Sequence, residues 1–147
     1  MHPIHPIAVH FPIALLTVSV LFDLISIRWK SASFRGAGLY TLIAGLLGAV
    51  AAVVTGAIAE ETVEDSDIPE ALLNIHETLG YATLVLFIGL LGLRLLMRRG
   101  VVREIPALYV TLGFIGVVVL LVTGYYGGVL VYDFGAGVNL PMSDSLP

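Results

Sequence analysis

Four apolar stretches, at about 11–27, 38–59, 72–97 and 105–131, take up most of this chain of 147 residues. Each reaches or approaches the roughly 18 residues that suggest a membrane span, and few ionised side chains interrupt them. With 58% hydrophobic residues, 12% charged residues and a mean hydropathy of +0.99, the chain has too little polar surface to cover a water-soluble core. The expected fold is an all-α integral membrane four-helix bundle, one domain over residues 1–147 with a C-terminal tail over 132–147. The expected surroundings are a lipid bilayer, the bacterial inner membrane.

The charges sort by segment. All seven basic residues lie in Arg28 to Arg35 and Arg94 to Arg103, which belong to the first and third connections or the adjoining span ends. The positive-inside rule puts those connections in the cytoplasm and both termini, with the connection around residues 60–71, on the periplasmic side. All but Asp23 and Glu104 of the eleven acidic residues then face outward, so neither nucleic acid nor anionic lipid is expected as an outer partner. The first eleven residues hold no Lys or Arg, and no small-residue cleavage pattern follows, so the first span is expected to stay in place. With no cysteine, disulfides, thiolate metal sites and c-type haem attachment are excluded.

The four histidines, His2, His5, His10 and His76, all fall on the outer side. A shift of 66 residues aligns Val9-His10 with Ile75-His76, Thr17 with Thr83 and Arg28 with Arg94. A shift of 68 then aligns Val54-Thr55-Gly56 with Val122-Thr123-Gly124. The expectation is two repeated helical hairpins in the same orientation, related by an axis along the membrane normal. Pro12 and Pro106 fit the starts of helices, where a missing N–H is tolerated.

In this register His10 and His76 stand at one depth on two diagonal helices, where inward imidazoles can share one metal. Small residues at Gly56 and Gly124 lie at the same depth and would admit a flat cofactor, so haem b with axial His10 and His76 is one reading. A second builds a zinc, copper or iron site from His2 and His5, with His10 and nearby carboxylates. Otherwise His2-Pro3-Ile4-His5-Pro6 is a rigid, polyproline-like lead into the first helix, and the protein is a non-catalytic subunit or homo-oligomer within a larger membrane complex. Asp23 is expected to pair with an arginine at the same end, such as Arg94. The buried threonines are expected to bond between helices. No Ser-His-Asp order, phosphate loop or catalytic carboxylate pair is present, so no independent enzyme is expected.

The opening His2-Pro3-Ile4-His5-Pro6, followed by Val9-His10-Phe11-Pro12-Ile13-Ala14-Leu15-Leu16 and Phe22-Asp23-Leu24, resembles the bacterial membrane family termed domain of unknown function 2231. The closing Thr123-Gly124-Tyr125-Tyr126-Gly127-Gly128-Val129-Leu130-Val131-Tyr132 and Gly135-Ala136-Gly137-Val138 also resemble that family. The resemblance implies a four-helix membrane domain with no established reaction. Relatives joined to Rieske or c-type cytochrome domains imply an electron-transfer setting, by association alone. Relatives often carry a polar residue or His where this chain has Val129 or Phe134, so the last helix is not expected to supply a ligand. The resulting expectation is a cytochrome b-like module exchanging electrons with a quinone or a periplasmic redox protein.

Overall fold

A computed structural model describes residues 4–60 and 68–136. A short helix α1 (Ile4–Ala8) leads through Val9 into α2 (His10–Trp29), followed by α3 (Ala32–Glu60), α4 (Glu70–Arg98) and α5 (Pro106–Tyr132). The segments Ile4–Trp29, Ala32–Ala59, Glu70–Arg98 and Pro106–Tyr132 are each long and apolar enough to cross a membrane. At 1.5 Å per residue the shortest is about 39 Å long, more than a hydrocarbon core of about 30 Å requires. Leu21, Leu47, Val85, Phe114 and Leu121 point outward, as lipid-facing residues must.

Local chemistry sets the helix ends. Pro12 has no N–H to give the Ala8 carbonyl, and the joint between α1 and α2 falls at Val9. The polyproline-like lead expected here is instead helical from Ile4. Pro6 sits in a first turn, where its missing donor is no loss, and the Val9 N–H closes that turn on the His5 carbonyl at 3.1 Å. At the far end of α2, Lys30 adopts a left-handed conformation with φ 50°, which turns the chain into α3 with one further residue. Helix α4 ends at Arg98 and is closed by Gly100, φ 71°, where the Gly100 and Val101 N–H groups each donate over 3.1 Å, to the Met97 and Leu96 carbonyls. Glycine tolerates that left-handed closure without a Cβ clash.

Helix α2 packs on α3, and α4 on α5. Between these hairpins α2 meets α5 and α3 meets α4, leaving α2 and α4 across the diagonal. The repeat is real, but its register is neither 66 nor 68. Asp23 and Arg94, which pair across the bundle, are 71 residues apart, and the same shift relates most of the buried positions of the four helices. Pro12, Leu16, Ser19 and Asp23 are buried on α2, and Thr83, Phe87, Leu90 and Arg94 on α4. Gly38, Leu42, Gly45, Leu46 and Ala49 are buried on α3, and Tyr109, Gly113, Gly116, Val117 and Leu120 on α5.

Side-chain contacts obey the same register. Leu16 lies over Gly45, where an added Cβ would meet its Cδ2 at 2.7 Å; Phe87 lies over Gly116, where an added Cβ would meet its ring at 3.1 Å. Each hairpin therefore seats a large side chain of its first helix in a glycine notch of its second. In a bilayer the lipid is as apolar as leucine, so this close fit, rather than escape from water, holds the hairpins together.

Candidate functional site: the histidine end

The 71-residue register pairs His5 with His76, and the two meet. Their ring centroids are 6.1 Å apart, at an interplanar angle of 84°. Each ring is pinned to its own hairpin by an equivalent bond. His5 Nδ1–H donates to the Ala52 carbonyl at 2.9 Å, and His76 Nδ1–H to the Thr123 carbonyl at 3.1 Å, both across 47 residues of chain. A carbonyl can only accept, so Nδ1 carries the proton, and in the neutral ring Nε2 is the lone-pair nitrogen. Glycines give both imidazoles room. A Cβ added at Gly56 would stand 3.1 Å from His5 Cε1, and one at Gly127 would stand 2.9 Å from His76 Cε1.

The two rings line a cavity of about 140 Å³, whose walls include Val53, Leu73, Tyr81 and Leu130, with Glu77 as its carboxylate. Threonines steady the wall below it: Thr83 Oγ1 lies 3.3 Å from Thr123 Oγ1, a bond between helices of the kind expected. Among the described residues no group of three or more His, Cys, Asp or Glu side chains could hold a metal ion. Among the described residues, the possible metal donors lining this cavity are the two imidazoles and the Glu77 carboxylate.

His10 and His76 are not brought together. His10 is exposed, and its Nδ1–H donates back to the Pro6 carbonyl at 2.6 Å, one turn earlier. Gly124 does not face a histidine either; an added Cβ would touch only Ile13 Cδ1, at 3.6 Å. Of the residues expected at a cofactor site, His76 and Gly56 are in the cluster, and His5 joins them from the alternative set. His2 and most of the acidic connection lie outside the described residues. Gly127 is the residue that sequence reasoning missed. Its signal was available, since Ile4-His5 and Ile75-His76, Gly45 and Gly116, and Gly56 and Gly127 all match at the one shift of 71.

The opposite end of the same axis carries the expected ion pair. The Arg94 guanidinium donates to Asp23 Oδ2 at 2.7 Å, to the Tyr109 hydroxyl at 3.2 Å and to the Arg35 carbonyl at 2.6 Å. Both charged side chains are more than nine-tenths buried. Each acceptor comes from a different helix, so one arginine ties α2, α3, α4 and α5 together.

A family model described as "Predicted membrane protein (DUF2231)" matches residues 1–140. The chain belongs to that family. No curated protein and no solved structure matches it. For a DUF2231 member, membership establishes a membrane protein with four apolar helices and leaves the chemistry to be argued from the site.

Proposed function

We propose that this DUF2231 protein is a membrane electron-transfer module in which His5 and His76 are the axial ligands of one haem b. The supporting observation is the pair of imidazoles, each anchored through Nδ1 to a backbone carbonyl, with ring centres 6.1 Å apart. Two imidazoles on opposite sides of one metal, with bonds of about 2.0 Å and about 1.1 Å more to each ring centre, stand about 6 Å apart. Ligating histidines usually donate their other N–H to a carbonyl or carboxylate, which fixes tautomer and ring orientation. The Ala52 and Thr123 carbonyls do that here, Gly56 and Gly127 let the rings lie against the facing helices, and the cavity walls are largely apolar. When bound, the haem supplies one-electron chemistry. By the positive-inside rule the site faces the periplasm, within reach of a quinone or a periplasmic redox protein.

His5 takes the place that the sequence alone gives to His10. The second reading, a single transition-metal ion, is favoured by the size of the cavity. A volume of about 140 Å³ accommodates an ion and a few waters, whereas drug-sized ligands occupy roughly 300 Å³ or more, so a porphyrin requires the hairpins to part. The histidine end also has no Lys or Arg for the propionates.

Expression with ample haem, followed by a reduced-minus-oxidised spectrum and metal analysis, decides between them. The expected result is a low-spin bis-histidine spectrum, lost in His5→Ala and in His76→Ala and kept in His10→Ala. A folded protein with no Soret band but with zinc, copper or iron retained through His5 and His76 overturns haem and leaves the ion. Loss of the spectrum in His10→Ala with retention in His5→Ala restores His10 as the ligand.

A further inference from the structure

We propose that the cavity at the basic end of the bundle binds the phosphate group of an anionic phospholipid. This cavity, about 770 Å³ in volume, lies between the ends of the hairpins and opens where the spans stop. Four cations line it, Lys30, Arg35, Arg94 and Arg98, against two carboxylates, Asp23 and Glu104. Those carboxylates are already engaged. Asp23 is bonded to Arg94 at 2.7 Å, and Glu104 lies 3.9 Å from Arg35. Lys30 and Arg98 remain, exposed at the rim, and neither side chain has a polar partner among the described residues. The cavity thus presents two unmatched positive charges over an ion pair that satisfies itself.

The surroundings favour a lipid over a soluble phosphate ester. Ile27 and Met97 line the same cavity, so an acyl chain and a headgroup find matching walls side by side. Basic pockets between helices on the cytoplasmic side are typical headgroup sites, and the positive-inside rule gives this end that side. The site is independent of whatever the histidine end holds.

Trp29, the only tryptophan, is exposed next to Lys30 and reports directly on a neighbouring lipid. The experiment measures quenching of its fluorescence by brominated phosphatidylglycerol against brominated phosphatidylcholine, with full-length protein in mixed vesicles. The expected result is a preference for phosphatidylglycerol that Lys30→Gln and Arg98→Gln each lower by about two- to fivefold, as removal of one near-surface charge does. The control, Arg99→Gln with Arg103→Gln, removes two charges from the same end but outside the cavity; these act on the lipid beside Trp29 only through screened, longer-range attraction, so the loss should be smaller than from either single cavity change. All four positions are exposed, and unchanged melting in phosphatidylcholine checks that each variant folds. Absence of any preference in the unaltered protein overturns the proposal. Equal loss in the control overturns the cavity as its seat, and displacement of the brominated lipid by millimolar glycerol phosphate overturns the lipid as the source of the phosphate.

Discussion

The two ends of the bundle are built on one axis and put it to opposite uses. At the histidine end, residues related by the repeat are identical, His5 and His76, and neither can satisfy the other through Nε2. At the basic end they are complementary, Asp23 and Arg94, and the charges cancel at 2.7 Å. Two like Lewis bases facing one cavity invite a third body, whereas two opposite charges close the space between them. The same twofold geometry therefore yields a candidate site at one end and a staple at the other. The side chains, not the backbone, make that difference.

The comparison breaks most visibly at the staple. Arg94→Ala or Asp23→Ala leaves a buried charge without its partner and should cost about 3–5 kcal/mol, read as a lower denaturation midpoint in detergent. Replacing both at once, Asp23→Asn with Arg94→Met, should recover much of that loss. The exchange Asp23→Arg with Arg94→Asp sharpens the test of the repeat, because related positions on an axis should accept the swapped pair better than either single change. If the exchange is as damaging as the single variants together, the two positions are not equivalent.

A smaller effect is expected at the glycine notches. Gly127→Ala places a Cβ 2.9 Å from His76 Cε1 and forces the imidazole off its carbonyl, which should cost about 1–3 kcal/mol. Gly124→Ala meets only Ile13 at 3.6 Å and should be close to neutral in the same thermal melt. Should the two behave alike, the notch under His76 is not a close contact. The imidazole displacement in Gly127→Ala should also weaken whatever the histidines bind, which a titration with haem or with zinc would register.

Next comes the threonine contact that joins α4 to α5 below the cavity. Thr123→Val removes a 3.3 Å hydroxyl contact and should cost about 0.6 kcal/mol in unfolding free energy, the average found for hydrogen bonds between membrane helices. The smallest effect belongs to Glu104→Gln. Its 3.9 Å pairing with Arg35 is more than half exposed on both sides and should contribute about 0–0.5 kcal/mol, a difference that salt removes. An effect as large as that of Asp23→Ala would place Glu104 in the buried network instead.

Much of this architecture could be read from the residues. Apolar length gives the four long helices, though not their bounds, since a helix must satisfy its own backbone across the hydrocarbon and cannot stop partway. The Asp23–Arg94 pairing was also legible, because an intramembrane carboxylate near a cation has few other outcomes. The repeat was visible as a fact but not in its register. Matching Val9-His10 to Ile75-His76 demanded a different shift for each helix pair, 66 and then 68, whereas a rigid duplicated hairpin permits one. The constant shift of 71 carries fewer eye-catching matches, because its equivalences include Leu16 with Phe87, Gly38 with Tyr109 and Asp23 with Arg94, alike in burial and unlike in name.

What the sequence determined by itself was the number of spans, the sorting of charge between the two ends and the gathering of histidines at one of them, all consequences of transfer free energy summed along the chain. Which histidine meets His76 was a tertiary decision. His5 and His10 sit little more than one helical turn apart with similar neighbours, and only the packing of α1 and α2 against α3, through His5 over Gly56 and Leu16 over Gly45, turns the first inward and leaves the second bonded to Pro6. Rotation of a helix about its own axis changes its hydropathy not at all, so that choice rests with the shapes it packs against.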